Sequence, residues 1–234
     1  MNSSFRVVVM VLVLGIAFVS GCSSDTDDQP LRPGTKPQPP NPNAGKLDYD
    51  DVDESMIKFK DDVAANASLD DDLTTLTFTN KDGQQVALRD FLGKQHVILV
   101  ITRGYGGSIC PYCATQTSRL IANYPKLQAQ NAEVLVVYPL EKPADIPKLD
   151  DFVARAVKSL PAAGKKVPFP LLLDVELKAV DVLGIRRDLS KPATYIFDKE
   201  GELRFAYVGS SLADRPSIKA LLDQLAQLNQ PPKS

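Results

Sequence analysis

The sequence predicts one α/β domain built on a mixed β-sheet, and three observations lead to this prediction. The 234-residue chain is 44% apolar and 24% charged, which is typical of a globular protein. Two apolar runs rich in β-branched residues, 97–101 and 133–138, indicate strands buried on both faces. Segments with apolar residues at helical spacing alternate with these runs, as expected for a sheet covered by helices. The net charge of −2 gives no reason to expect a nucleic acid partner.

The predicted elements begin with a β-hairpin. Residues 73–79 alternate as a strand, a Lys-Asp-Gly turn follows, and residues 85–88 return along it. After the strand at 97–101, a helix is predicted from Cys110, and Pro125 should kink or divide it. The remaining elements, in chain order, are a strand at 133–138, helices at 146–160 and 176–183, strands at 193–198 and 203–208, and a helix opened by Pro216.

The N-terminus has the features of an export signal. Arg6 precedes an apolar run of 13 residues, 7–19, which is too short to span a bilayer as a helix. The segment Val19-Ser20-Gly21-Cys22 resembles the lipobox of bacterial lipoproteins. That resemblance implies cleavage before Cys22, lipidation of its thiol and a membrane anchor on the exported, periplasmic side. Ser23 after the lipidated cysteine favours the outer membrane in a Gram-negative cell.

The domain boundaries follow from changes in composition along the chain. Six of the 18 prolines lie just after the lipobox, where almost no large apolar residue occurs, so that stretch is predicted to be an extended tether. Four segments are expected: a signal peptide at 1–21, a lipidated proline-rich tether at 22–45, an acidic helical extension at 46–68, and the α/β domain at 69–230.

The acidic extension is predicted to be helical because its apolar residues recur at helical spacing. Met56, Phe59, Val63 and Ala67 would then lie on one face of an amphipathic helix. Such a helix would pack its apolar face on the domain and expose its acidic side chains to solvent.

The chemistry of the chain is concentrated in Cys110-Pro111-Tyr112-Cys113. Residues i and i+3 of a helix lie on one face about 5 to 6 Å apart, a separation that a disulfide tolerates. Cys110 is expected at the helix N-terminus, where the dipole and the free N–H groups stabilise a thiolate. The pattern predicts an exposed, acidified Cys110 that attacks disulfides and a more shielded Cys113 that resolves the mixed disulfide.

Two other interpretations of the cysteine pair remain open. The pair could form a structural disulfide, although closing so small a loop adds little stability. It could also be half of a metal site, but His96 is the only histidine and is expected at the surface or at a sheet edge. We therefore expect neither a metal nor a cofactor, and a metal-binding or structural lipoprotein is the third hypothesis for function.

Three segments resemble one known family. The stretch from Arg103 to Cys113 (RGYGGSICPYC) resembles the R-G-x-W-C-P-Y-C segment of thioredoxin-fold redoxins of the alkyl hydroperoxide reductase/thiol-specific antioxidant group, the peroxiredoxin-like proteins. Lys191-Pro192-Ala193-Thr194 is similar to the thioredoxin cis-proline loop, and Tyr207-Val208-Gly209 with Ala213-Asp214-Arg215-Pro216 resembles the C-terminal end of the same group. The resemblance covers about residues 69–230. It implies a thioredoxin-like three-layer sandwich whose mixed central sheet carries an N-terminal β-hairpin extension.

The resemblance also implies an activity, thiol–disulfide exchange. Cys110 would be the nucleophile and Cys113 the resolving thiol, while Pro192 in a cis bond would dock the substrate chain. Lys191 and Arg103 are candidates for tuning the site, and Tyr112 for controlling access to it. The expected partners are protein thiols and disulfides, with a small peroxide as the alternative substrate.

The alternative is a thiol peroxidase, and two departures from the peroxiredoxin pattern argue against it. The signature P-x-x-x-[TS]-x-x-C is not matched when counted back from either Cys110 or Cys113. Pro192 stands where peroxiredoxins carry an arginine that would polarise the peroxide. Thioredoxins differ as well, since they place tryptophan where this chain has Ile109.

Overall fold

The structure is a computed structural model that describes residues 52–68, 73–162 and 165–230. The predicted signal peptide, the lipidation site Cys22 and the proline-rich tether lie outside these residues. Within the described part, no helix is both long enough and apolar enough to cross a bilayer.

Seven strands of the described residues form one mixed sheet. They are β1 (Thr77–Thr79), β2 (Gln85–Ala87), β3 (His96–Ile101), β4 (Ala132–Leu140), β5 (Leu171–Val175), β6 (Ala193–Phe197) and β7 (Leu203–Val208). Their order is β2-β1-β5-β4-β3-β6-β7. Strands β3, β4 and β5 are parallel, whereas β6 and β7 on one side and the β1–β2 hairpin on the other run antiparallel. The predicted mixed sheet with its N-terminal hairpin is confirmed.

In the part of the chain that the structure describes, four α-helices cover the two faces of this sheet. They are α1 (Pro111–Ala129), α2 (Lys148–Ala156), α3 (Lys178–Val182) and α4 (Ile218–Leu228). Ile98 and Val100 of β3 face α1 and α4, whereas the alternate residues Val97 and Leu99 face the side of α3. Helix α2 packs beside α1. The result is the three-layer, thioredoxin-like sandwich that the sequence predicts.

Three local predictions differ from the structure. Strand β5 was not predicted, because its short leucine run has neither alternation nor β-branched residues in its first three positions. Pro125 does not divide α1, since a proline removes only one N–H donor and the turns on either side persist. His96 is not at the surface: its side chain is 2% exposed, and its Nε2 lies 3.1 Å from Oδ1 of Asn229.

The prediction of a helix in the acidic extension is wrong for the described residues 52–68, which we call the N-terminal strap. The strap contains one 3-10 turn, Glu54–Met56, and Met56 is 69% exposed instead of packing inward. The backbone groups of Lys60 are engaged elsewhere, because its N–H donates to the carbonyl of Arg215 at 2.9 Å and its carbonyl accepts from Ser217 N at 2.8 Å. Pairing with a distant segment thus replaces the i to i−4 bonds of a helix.

Candidate redox site

The two cysteines lie where the end of the central strand β3 leads into helix α1. Cys110 is the N-cap of α1, Pro111 is its first residue, and Cys113 lies in its first turn. Proline suits this position because it has no N–H to leave unpaired and its φ is already helical. The CPYC segment therefore opens a helix as predicted.

Both cysteines are free thiols, and both side chains are 0% exposed. They belong to one apolar cluster with Tyr138 of β4 and Phe152 of α2, whose rings stack 4.4 Å apart. The expectation that Cys110 is exposed is therefore wrong. It failed because helix-end geometry is local, whereas the residues that bury Cys110 come from other elements.

Two donors point at the sulfur of Cys113. The guanidinium Nη2 of Arg215 lies 3.2 Å from Cys113 Sγ, and the backbone N–H of Arg103 donates to the same atom at 3.3 Å. Both distances are hydrogen bonds to sulfur, and a hydrogen bond from a charged donor favours the ionised acceptor. This arrangement holds a thiolate at Cys113.

Arg215 is itself buried, with 1% of its surface exposed. Its Nη1 donates to Oε1 of Gln116 at 2.5 Å and its Nε to the carbonyl of Leu212 at 2.7 Å. In the described part of the chain, no carboxylate lies within ion-pair distance of this guanidinium. A buried charge without a counter-ion is strongly destabilising, so the Cys113 thiolate is the charge that balances Arg215.

The pKa values of the two thiols are driven apart by these contacts. Burial opposes a charge on Cys113, but the hydrogen bond from Cys110, the charge of Arg215 and the Arg103 N–H lower the pKa of Cys113 to about 5. The hydrogen bond to Cys113, followed by burial, raises the pKa of Cys110. The structure thus differs from the prediction of an acidified Cys110, because both donors contact Cys113 and the pKa of Cys110 is raised.

The segment that carries Arg215 is held in place by the neighbouring carboxylate of Asp214. This carboxylate accepts hydrogen bonds from Tyr207 Oη at 2.6 Å and from the backbone N–H of Ser210 at 2.8 Å. Although partial burial acts in the opposite direction, these bonds and the ammonium of Lys60 hold the pKa of Asp214 well below its usual range. The carboxylate of Asp214 is thus bound by Tyr207, Ser210 and Lys60, and the guanidinium of Arg215 remains available to the Cys113 sulfur.

A close approach of two loops completes this side of the site. The N–H of Gly209 donates to the carbonyl of Pro192 at 2.8 Å. A Cβ at position 209 would lie 2.1 Å from the carbonyl oxygen of Asp214 and 2.9 Å from Cγ of Pro192, so no other residue fits there without a shift. The glycine therefore lets the proline loop and the loop of Asp214 and Arg215 pack together.

The N-terminal strap contacts the chain on both sides of the cysteine pair. Its Lys60 Nζ lies 2.7 Å from Oδ1 of Asp214, next to Arg215. Its Glu54 Oε1 accepts from Nε of Arg155 at 2.7 Å, and the same guanidinium donates to the carbonyl of Ile109 at 3.2 Å. Ile109 immediately precedes Cys110, so the strap supports both partners of the dithiol.

The other predicted site residues are brought together beside the cysteines. Arg103, Lys191 and Pro192 line one cavity of about 450 Å³. Lys191 is not among the groups that hydrogen-bond either sulfur in the described residues, so its predicted effect on the Cys110 pKa is not seen. Tyr112 is half-buried between the cysteines, at the edge of their apolar cluster.

Sequence reasoning missed Arg215, Arg155 and Tyr138. Arg215 is 102 residues from Cys113, and only its place in the Ala-Asp-Arg-Pro segment that carried the family resemblance could have pointed to it. Tyr138 has a buried hydroxyl for which the described residues provide no hydrogen-bond partner. Burial, followed by the charges of Cys113 and Cys110, raises the pKa of Tyr138, so this hydroxyl stays protonated beside the thiols. Among the described residues, no group of three or more metal-binding side chains occurs.

A pair of free thiols at the start of a helix, one of them held as a thiolate, defines the class of dithiol redox proteins. The model of the AhpC/TSA family matches residues 69–206, which is 138 of the 234 residues. The chain therefore belongs to the AhpC/TSA family, and it is a redoxin with the fold of an oxidoreductase. A comparison with curated proteins finds no match.

Several solved structures match this chain at low sequence identity. The MTB protein dsbF, solved in mixed oxidized and reduced forms, is 18% identical with a TM-score of 0.48 over 67% of this chain and 97% of its own. Peroxiredoxin Q of Xanthomonas campestris is 19% identical, with a TM-score of 0.46, over 70% of this chain and 96% of its own. Peroxidoxin BcpB of Mycobacterium tuberculosis is 16% identical, with a TM-score of 0.49, over 71% of this chain and 97% of its own.

Proposed function

We propose that this redoxin is a membrane-anchored thiol–disulfide oxidoreductase that exchanges disulfides through Cys110 and Cys113. The observation that carries the proposal is the pair of free thiols at the start of α1, with the buried guanidinium of Arg215 3.2 Å from Cys113 Sγ. Lipidation of Cys22 would hold the domain on the periplasmic side of the cell envelope, with the outer membrane favoured. The tether at 22–45 would let it reach membrane-bound clients.

The proposed mechanism uses the Cys113 thiolate first as a base. As Cys110 attacks the substrate RS–SR, its proton passes to Cys113, a mixed disulfide forms between Cys110 and one RS group, and the other leaves as RS⁻. The sulfur of Cys113 then attacks the sulfur of Cys110 in the mixed disulfide and displaces the second RS group. The proton that Cys113 had accepted leaves with this group as RSH. The protein is oxidised by two electrons to its disulfide form, and RS–SR is reduced to two thiol equivalents. The reverse sequence oxidises a dithiol client.

The stabilised thiolate sets an expectation for the reduction potential. A stabilised thiolate favours the reduced form and so makes a dithiol pair more oxidising. The reduction potential rises by about 30 mV for each 1.4 kcal/mol by which the reduced form is stabilised. The potential of the Cys110/Cys113 pair should therefore lie above the value of about −270 mV that is typical of thioredoxin. Equilibration of the purified chain with glutathione redox buffers measures it. No disulfide between these cysteines at any ratio would exclude the exchange function.

Cysteine variants separate the two proposed roles. Cys110→Ser should abolish exchange, because the nucleophile is lost. Cys113→Ser should accumulate a mixed disulfide on Cys110, because the resolving thiol is missing. The measurement is the second-order rate of oxidation by hydroxyethyl disulfide, followed by mass spectrometry. Exchange at the wild-type rate by Cys110→Ser would show that Cys113 itself is the attacking sulfur.

One observation favours a second candidate function, the reduction of peroxides by Cys113. Arg215 and the Arg103 N–H stabilise this thiolate and could also hold the oxygens of a peroxide, a role expected of the missing peroxiredoxin arginine. Cys113 would be oxidised to a sulfenic acid with release of an alcohol, and Cys110 would condense with it to release water. The contacts at the sulfur therefore favour Cys113 over Cys110 as the site of the sulfenic acid in this alternative.

A trapping experiment tests the second candidate. In Cys110→Ser the sulfenic acid cannot be resolved, so hydrogen peroxide followed by dimedone should label Cys113 if the protein is a peroxidase. The matched control is Cys113→Ser treated in the same way, which leaves the protonated Cys110. Equal and slow labelling of both variants would remove the peroxidase function.

A further inference from the structure

A cavity of about 450 Å³ opens beside the dithiol, within the size range of sites for small ligands. Its walls include Arg103, whose backbone N–H holds the Cys113 sulfur, and Pro192, which packs against the loop that carries Arg215. Leu212 also lines it and packs on the cysteine cluster. A ligand in this cavity therefore contacts residues that touch the dithiol, although neither cysteine lines the cavity and both are buried.

The cavity is positively charged, although the chain as a whole carries a net charge of −2. Arg103, Arg187 and Lys191 line it together with one carboxylate, Asp188. Asp188 is paired with Arg103 at 2.5 Å. Among the described residues, no carboxylate lies within ion-pair distance of Arg187 or Lys191. Two positive charges thus remain to act on a ligand.

The loop that presents these two cations is anchored by backbone hydrogen bonds to the segments that follow β3 and α3. Lys191 N donates to the carbonyl of Ile185 at 2.9 Å, and Ser190 N donates to the carbonyl of Arg103 at 3.3 Å. The neighbouring Arg186 is held by both carboxylate oxygens of Asp181, so it does not compete for the ligand. The backbone that carries the two cations is therefore fixed before a ligand arrives, which reduces the entropy lost by the chain on binding.

We propose that this cavity binds the carboxylate groups of a small anionic disulfide, with Arg187 and Lys191 as the residues that determine specificity. The proposal rests on the proposed exchange function and names its substrate class. Cations at the mouth of a site raise the rate of encounter with anions and lower it for cations, more strongly at low salt. In the reaction, the reduced protein becomes its disulfide and the bound RS–SR becomes two thiol equivalents, as in the mechanism above.

The test measures oxidation of the reduced full-length chain by three small disulfides that differ in charge. They are glutathione disulfide, which is anionic, hydroxyethyl disulfide, which is neutral, and cystamine, which is cationic. Trypsin releases residues 104–119 as one peptide that holds Cys110 and Cys113 but not Cys22. Alkylation followed by mass spectrometry of this peptide therefore reports the dithiol alone, and the neutral disulfide normalises each protein for intrinsic reactivity.

A charge-reversal pair supplies the variant and its control. Arg187→Glu/Lys191→Glu reverses the charge of the cavity. Lys94→Glu/Lys199→Glu makes the same change in net charge on exposed residues at the opposite end of β3 and β6, about 20 Å away along a six-residue strand. The rate for glutathione disulfide divided by that for cystamine should fall on the order of tenfold or more in the cavity variant at low salt. In the control it should change by less than about twofold.

The outcomes distinguish this inference from the proposed function. A preference for glutathione disulfide that is lost in the cavity variant and weakened by salt supports the inference. Equal changes in the cavity variant and the control would overturn it while leaving thiol–disulfide exchange intact. If none of the three disulfides oxidises the 104–119 peptide, exchange itself is wrong and the inference falls with it.

Discussion

At the scale of single residues, the reactivity of the site depends on the contact of 3.2 Å between Arg215 Nη2 and Cys113 Sγ. A helix N-terminus alone favours a thiolate at Cys110, which is the N-cap. The full guanidinium charge close to Cys113, in a buried environment with a low dielectric, outweighs that partial charge. The balance of these two effects places the negative charge on the second cysteine of the motif.

Replacement of the buried arginine should weaken the stabilisation of the thiolate at Cys113. Arg215→Met is expected to raise the pKa of Cys113 by about 1 to 3, because an opposite charge within hydrogen-bond distance shifts a pKa by that amount. The measurement is the thiolate absorbance at 240 nm of the reduced protein as a function of pH.

Two further variants make this prediction sharper. Arg215→Lys keeps the charge but not the planar set of donors, so its shift should be smaller. The matched control is Arg204→Met, which should leave the titration unchanged. Arg204 is a half-exposed residue of β7 that pairs with Asp198. An unaltered pKa of Cys113 in Arg215→Met would contradict the assignment of Arg215 as its counter-ion.

At the scale of elements, the N-terminal strap is part of the site although it lies outside the segment matched to the family. The family match begins at residue 69, and the strap ends at residue 68. The strap pairs with the segment at 215–217 through the backbone of Lys60, and the side chain of Asn66 pairs with Val208 at the edge of β7. It therefore covers an open sheet edge and fixes the loop that carries Arg215.

Loss of the two ionic contacts of the strap should loosen this support. Glu54→Gln/Lys60→Met removes the partners of Arg155 and Asp214, and we expect the pKa of Cys113 to rise by up to about 1 as Arg215 becomes less well positioned. The same absorbance titration measures it. The matched control, Lys58→Met/Asp62→Asn, removes one positive and one negative charge from exposed residues of the same strap. A change in thermal stability without a change in the titration would make the strap a purely structural element.

At the scale of the whole molecule, the perturbed thiols link stability to pH. In the folded reduced protein the pKa of Cys113 is about 5, below its ordinary value of 9.0, whereas the pKa of Cys110 is raised. The depressed pKa contributes stability that is fully present above pH 9 and is lost as the pH falls toward 5. The raised pKa contributes stability that is present below pH 9 and is lost above it.

The free energy of unfolding of the reduced protein should therefore rise from pH 5 to about pH 9, with a slope of up to about 1.4 kcal/mol per pH unit from this source. Urea unfolding at several pH values measures the slope. The oxidised form of the same chain is the control, because its disulfide has no thiol to titrate. Parallel profiles for the two forms between pH 5 and 9 would show that the pKa of Cys113 is not depressed.

Much of the fold and the motif can be obtained from the sequence alone. The buried strands, the hairpin and the helix that begins at Cys110 follow from periodicity and local geometry over a few residues. The redox pair follows from the i and i+3 spacing of Cys110 and Cys113, and the family from the segments around Arg103 and Pro192. These features depend on interactions between near neighbours in the chain, so they are visible in the order of residues.

Only the tertiary structure decided the features that depend on distant parts of the chain. Strand β5 is stabilised by pairing with β4 and β1, and the strap by pairing with 215–217, so neither follows its local pattern. The charge on Cys113 depends on Arg215, 102 residues away, and on burial by several elements. Electrostatic energies depend on distance in space and on exclusion of water, and neither is set by separation along the chain.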